Sequence, residues 1–337
     1  MSSGATRTRG FRHQRHVEAL HSESKHFTTK NLAEAKVNTG VTLAYAIHEF
    51  PGDDGCDGVE RVVMIMGCMH IKECWTINVE MMMQQWAAER AEEDPTKPRK
   101  TLQVLTFDNR GIGDSEYPYG IYTTSLMAQD ALGLMDYLGW QQAHIVGQSL
   151  GGMISLELAH MAPKRVRSLS LIVTTRGRYM PSISNSWLLM KTVLHYDIGV
   201  MSAHMTKLLY PEPFLDTPLD DDTDKKAWDV LFPFHRDQRL TRKIPTPHGS
   251  FGQISAVASH WVSDERLQEI ADHGFPILIV GASQDKVIPP QETLRLQERL
   301  RGDHVKTVIF DDAGHNVYIQ YADEVTEFML DTLQRAM

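Results

Sequence analysis

Cysteine is scarce in this chain. Cys56, Cys68 and Cys74 are the only three in 337 residues. That odd, small number excludes a disulfide framework and points to a reducing compartment, the cytoplasm first. Long apolar runs are also missing: none approaches the ~18 residues that a membrane-spanning helix needs. Basic residues are outnumbered 34 to 43, and the net charge of −9 argues against a nucleic-acid partner. A secretory leader is not visible either, because the first 16 residues carry Arg7, Arg9, Arg12 and Arg15 around no apolar centre. With no acid before Glu18, that segment has a faint transit-peptide character that would allow organelle import, but a disordered basic tail over residues 1–36 is the simpler expectation. Internal repeats and low-complexity stretches are absent. The acidic run DDDTD at 220–224 reads as a solvated loop.

What is present is an alternation of short apolar runs and helical patterns. VTLAYAIHEF (41–50) reads as an edge strand ended by the turn-rich PGDDGCDG. ERVVMIMG (60–67) and LQVLTF (102–107) are short continuous apolar runs, the mark of strands covered on both faces. Between them lies a Trp- and Met-rich helical segment from about Trp75 to Glu93, whose Met81, Met82 and Met83 read as helix core, and then a polar insertion, EEDPTKPRK. In YTTSLMAQDALGLMDYLG, Met127, Ala131, Leu134, Met135 and Leu138 fall on one helical face. Thr123 or Thr124 is placed to cap that helix and Gly139 to stop it. Strand AHIVG, helix LGGMISLELAH and strand SLSLIVT (168–174) follow. Such alternation predicts a parallel sheet with helices on both faces.

From Arg176 to about His273 the rhythm breaks, with recurrent prolines and short helical patches. FPILIVGASQD (275–285), PQETLRLQERL, VKTVIF and a closing helix from about Asn316 to Arg335 then resume it. The expected organisation is an α/β core over 37–175 and 274–337, interrupted by a mainly helical cap over 176–273, about a hundred residues and within the usual domain range.

Ser149 sits between Gly147 and Gly151 in GQSLGG, at the join of a predicted buried strand and a predicted helix. The pentapeptide is weak by itself. Its context supplies a reason, because a sharp strand-to-helix turn leaves no room for a Cβ on either side and lifts the hydroxyl above the sheet edge. A serine hydroxyl needs a base, and the base needs an orienting acid. Asp285 ends the strand ILIVGASQD, and His315 follows VKTVIF in the turn DDAGH. Ser149, Asp285 and His315 therefore each fall at the C-terminal end of a strand, where sites on open α/β sheets form. Asp311 and Asp312 lie too close to His315 in sequence to face its ring and read as turn residues.

Other candidates carry less. Cys68 has no visible base and reads as a small buried residue. FDNRGIGDS (107–115) lacks the Gly-Lys-Ser/Thr ending of a phosphate loop. His70 and Glu73 have no third metal ligand at suitable spacing. No metal or cofactor is expected. Gln148, wedged in the turn, is expected to touch the pocket.

In the order and spacing of GQSLG (147–151), FDNRGIGDS (107–115), GASQDKVIP (281–289) and DAGH (312–315), residues 37–335 resemble the α/β-hydrolase fold family in its cap-bearing single-domain branch. GQSLGGMI and the cap's placement look most like enol-lactonases, methylesterases and related small-ester hydrolases. The resemblance implies an oxyanion hole made by the backbone N–H of Leu150 and that of Cys68, where many relatives have His-Gly and this chain reads Met66-Gly67-Cys68. It also implies a structural role for Asp108, Arg110 and Ser115.

The resulting expectation is a serine hydrolase of a small or medium carboxylic ester, lactone or thioester. Trp187, Tyr196, Tyr210, Trp228, Phe232 and Phe234 would supply cap core and an apolar pocket lining. The alternatives are a C–C bond hydrolase or proline-type aminopeptidase on the same triad, or a ligand-binding receptor that retains it. Haloalkane dehalogenases and epoxide hydrolases are disfavoured, since they carry Asp where this chain has Ser149. The partner is a small molecule, and oligomeric state is left open.

Overall fold

The structure is a computed structural model that describes residues 11–52, 58–92, 100–179, 197–241 and 246–337. One sheet contains β1 (Leu32–Lys36), β2 (Thr42–Phe50), β3 (Val59–Ile65), β4 (Thr101–Phe107), β5 (Ala143–Gln148), β6 (Val166–Ile172), β7 (Ile277–Ala282) and β8 (Val305–Phe310). Their order is β1-β2-β4-β3-β5-β6-β7-β8. The β1–β2 and β2–β4 pairs are antiparallel, and the remaining pairs are parallel. The helices before β6 are α1 (Gln14–Leu20), α2 (Glu23–His26), α3 (Thr76–Glu92), α4 (Thr124–Tyr137) and α5 (Leu150–Met161). Between β6 and β7 come α6 (Ile198–Leu209), α7 (Glu212–Leu215), α8 (Ala227–Thr241), α9 (Pro247–Ser259) and α10 (Asp264–Asp272). The chain closes through α11 (Gln291–Arg299), α12 (Val317–Gln320) and α13 (Ala322–Gln334).

The apolar runs become central strands because both faces of the sheet are covered. Along β3, Val62 and Met64 enter one core while Val63 and Ile65 enter the other. In β7, Leu278 and Val280 likewise alternate with Ile277 and Ile279. This is the period of two that a pleated strand imposes. Helix α4 begins as its sequence suggests, with the Thr123 hydroxyl accepting from the Leu126 N–H at 3.1 Å, and Gly139 follows its end at φ +69°. Among the described residues no helix is long and apolar enough to cross a membrane.

Three expectations are corrected. The strand at 42–50 is not an edge, because β1 pairs outside it. β1 alternates short and charged residues and buries only Ala35, so its apolar pattern is too thin to announce a strand. Residues 11–36 are not a disordered tail but two helices and this edge strand. Phe11, Ala19 and Leu20 are buried in the core. Side-chain partners far along the chain hold the segment: Arg15 and His16 on Asp323, and Lys25 and His26 on Glu80. The acidic run at 220–224 is not merely solvated, since the Gln14 N–H donates to Asp221 at 2.5 Å and the Asp220 N–H to the Arg12 carbonyl at 3.0 Å.

Candidate active site

Parallel strands end on the same side, so the loops after β3, β5, β7 and β8 gather at one edge of the sheet. Ser149 stands at the end of β5 and caps α5 with φ +54° and ψ −118°. A side chain in that region carries strain of about 1–3 kcal/mol, and the surroundings hold it there. The Ser149 N–H donates to the Ile172 carbonyl at 2.9 Å, and its own carbonyl accepts from the Thr174 hydroxyl at 2.7 Å. Glycine is required on both sides. A Cβ on Gly147 would lie 2.3 Å from the Gly151 carbonyl oxygen, and one on Gly151 would lie 1.9 Å from that of Ile65. The first turn of α5 thus sits against the end of β3.

Asp285 and His315 come together from the loops after β7 and β8. His315 Nδ1 lies 2.8 Å from Asp285 Oδ2, and both residues are buried. The other carboxylate oxygen accepts from the Val287 and Ile288 N–H groups at 2.7 and 2.9 Å. Asp285 is therefore fixed in rotation, and its free direction points at the imidazole. Asp311 and Asp312 behave as turn residues: their carbonyls accept from Ser283 and Gln320, and the Asp312 carboxylate accepts from Tyr321.

The loop after β3 runs beside Ser149. Gly67 has no Cβ, and one would meet Gln148 Oε1 at 2.3 Å and Ser149 Cβ at 3.2 Å. That contact places buried Gln148 against the loop backbone. Met69 turns the loop in the left-handed region at φ +60°. Its N–H donates to Gln253 Oε1 at 2.8 Å, and Gln253 Nε2 donates to the Arg110 carbonyl at 3.0 Å. Gln253 is completely buried on α9, so a helix of the long β6–β7 connection pins the loop. Among the described residues, neither the Cys68 nor the Leu150 N–H has a hydrogen-bond partner.

Burial pushes the Cys68 thiol up to about 12, so it carries little thiolate at neutral pH. His70 places Nδ1 2.9 Å from the Cys68 carbonyl. Burial pushes its imidazole down to about 4, with the positive fields of Arg239 and His315 acting in the same direction. Glu73 pairs with Lys72 at 2.9 Å. Among the described residues no group of three or more His, Cys, Asp or Glu is arranged to hold a metal ion.

Asp108, Arg110 and Ser115 brace the neighbouring loop. Asp108 accepts from the Lys72 and Asp114 N–H groups at 2.7 and 3.0 Å, and lies 3.0 Å from Lys72 Nζ. Arg110 forms two bonds of 2.6 Å with Asp130. Ser115 donates to the Asp108 carbonyl at 2.6 Å. Of the aromatic residues expected around the pocket, Trp187 and Tyr196 lie outside the described residues. Tyr210 is buried, with its hydroxyl 3.2 Å from both His235 Nε2 and Asn316 Nδ2. Trp228 and Phe232 stack on each other at 5.0 Å, and Phe234 joins the core. The sequence reading missed Gln253, Met69 and Asn316. No spacing marks them, since each matters through a partner distant in sequence.

A family model described as the alpha/beta hydrolase fold matches residues 85–322. A protein of Azorhizobium caulinodans named as a carbamate hydrolase is 40% identical over 235 residues, covering 67% of this chain and 83% of that protein. The 2-hydroxymuconate semialdehyde hydrolase of Pseudomonas putida is 25% identical over 252 residues, covering 70% and 79%. Among solved structures, the enol-lactonase from Burkholderia xenovorans LB400 superposes with a TM-score of 0.66 at 20% identity, covering 90% of this chain and 100% of that one. By its sheet order, its turn at Ser149 and these likenesses, the chain belongs to the α/β-hydrolase fold family.

Proposed function

We propose that the protein is a serine hydrolase that cleaves a small or medium carboxylic ester, lactone or thioester. The observation that carries this reading is the 2.8 Å bond between His315 Nδ1 and an Asp285 carboxylate whose second oxygen is already held. That arrangement fixes the proton on Nδ1 and leaves Nε2 as the base. The Ser149 Oγ attacks the substrate carbonyl while His315 Nε2 takes its proton. The imidazolium then protonates the leaving group, and Asp285 stabilises that cation. Water, activated by the same imidazole, releases the acyl group and restores Ser149. The N–H groups of Cys68 and Leu150 hold the oxyanion, and such a donor contributes about 3–4 kcal/mol to the transition state. This route needs no metal or cofactor.

The cap reading fits the way α9 reaches the loop after β3 through Gln253. It also fits the Asn316 N–H, which donates to the Leu209 carbonyl of α6 at 3.1 Å. Cys68 is a free thiol, in keeping with a reducing compartment.

A fluorophosphonate probe followed by peptide mapping tests the reading. Ser149 is the expected site of a single stoichiometric adduct, and turnover of an ester chain-length panel separates an enzyme from a receptor that retains the triad. An adduct on another serine, or none at all, would overturn it.

A further inference from the structure

Arg239 lies on α8 and is half-buried. Its Nη1 is 3.4 Å from the Met201 sulfur on α6, and among the described residues no carboxylate pairs with it. Three other shielded arginines are matched to carboxylates, Arg110 to Asp130, Arg167 to Glu60 and Arg266 to Glu157, whereas Arg61, also without one among the described residues, stacks over the Trp140 ring instead. A guanidinium withdrawn from water without a counter-charge is costly to hold, and a fold keeps one at little advantage unless an anion arrives.

The direction in which Arg239 faces can be traced. His235 lies four residues earlier, on the same side of the helix. Its Nε2 is 3.2 Å from the Tyr210 hydroxyl, which is 3.2 Å from Asn316 Nδ2, and Asn316 directly follows His315. This face of α8 therefore looks toward the strand end that carries His315. Burial pushes His235 down to about 3, helped by the neighbouring His70 and Arg239. With His70 also held neutral by burial, the positive charge here at neutral pH belongs to Arg239. Two buried polar atoms, Asn316 Oδ1 and Nε2 of Gln238, adjacent to Arg239 in sequence, have no hydrogen-bond partner among the described residues.

We propose that Arg239 binds a carboxylate on the substrate, so that the hydrolase acts on half-esters or lactones bearing a second, anionic end. The proposal rests on the serine-hydrolase reading for its reaction but not for its binding site. The planar fork of arginine suits a carboxylate bidentately, and Gln238 and Asn316 can complete the recognition of a polar arm. Arg239 is a specificity residue here, remote from the proton transfers at Ser149.

The test compares p-nitrophenyl half-esters of succinate, glutarate and adipate with p-nitrophenyl butyrate, pentanoate and hexanoate. The wild-type protein should favour at least one half-ester over its neutral counterpart by about tenfold or more in kcat/KM. Arg239→Met should abolish that preference through KM, leave the neutral esters within about twofold and label normally with fluorophosphonate, while Arg239→Lys restores part of it. Calorimetry with monomethyl glutarate on Ser149→Ala, with and without Arg239→Met, reads binding without turnover. Binding lost with Arg239 supports the site even if no ester is hydrolysed, in which case only the catalytic reading fails. Equal use of charged and neutral esters, an equal loss on both in Arg239→Met, or calorimetric binding indifferent to Arg239 would overturn the proposal.

Discussion

Replacing Gln253 with leucine removes two hydrogen bonds at once and leaves their partners behind. The Met69 N–H at 2.8 Å loses its acceptor and the Arg110 carbonyl at 3.0 Å loses its donor. A buried group left unpaired costs about 1–3 kcal/mol, so the two together cost roughly 2–6 kcal/mol of stability. A total stability of about 5–15 kcal/mol absorbs such a loss, and Gln253→Leu should remain folded with a lowered urea midpoint. The larger effect is expected in kcat. Met69 holds a left-handed turn at φ +60°, and its neighbour Cys68 offers the proposed oxyanion donor. A donor displaced from the oxyanion is worth about 10²–10³ in kcat, so kcat on an ester should fall by about 10² with KM little changed. Gln253→Glu separates the two bonds, because its carboxyl still accepts from Met69. It should lose stability but keep kcat within about tenfold of the wild type. The assay is steady-state kinetics beside urea unfolding of the same samples. Wild-type kcat in the leucine variant, or a glutamate variant as slow as the leucine one, would refute the view that Gln253 sets the loop.

Asp285→Asn should keep the fold and cut kcat by about 10⁴, since an amide facing Nδ1 favours the wrong imidazole tautomer; near-normal turnover would point to another acid. Cys68→Ala should retain most activity, and iodoacetamide should label Cys68 slowly even at pH 9, because the thiol stays protonated below about 12. Rapid thiol alkylation coupled to loss of activity would contradict this. Gly151→Ala should unfold or disable the protein, given a Cβ 1.9 Å from the Ile65 carbonyl oxygen; a stable, active variant by thermal melting and ester assay would show that α5 can slide away from β3.

The parts of the fold legible in sequence are those whose constraint is local or one-sided. β3, β4, β5 and β7 announce themselves because burial on both faces gives each a short apolar run. The serine turn is legible because its glycines answer to backbone atoms at fixed offsets, as the Gly147 contact with Gly151 shows. Asp285 and His315 could be paired from strand order alone, since parallel strands deliver both to one edge. Residues 11–36 were not legible, because their order depends on Glu80, Asp221 and Asp323, none of them within reach of a sequence window. Gln253 was hidden for the same reason. In the sequence it is one polar residue of a helix, and only the Met69 turn that it meets gives it a role.

The clasp between α1 and α13 also has a consequence in time. His16 and Asp323 are separated by 307 positions and meet at 2.7 Å. At roughly 5–20 residues per second of synthesis, the ribosome takes on the order of 15–60 s after making His16 to supply its partner. During that interval Phe11 and Leu20, both buried in the finished protein, lack part of the surface that covers them. Closing so long a loop is entropically slow but only modestly costlier than closing one half its length. The helix is therefore made early and sealed late. In pulse-labelling hydrogen exchange during refolding, the α1 amides should gain protection after those of β3 and β5, and slowing elongation should lengthen the exposure of that apolar face to chaperones.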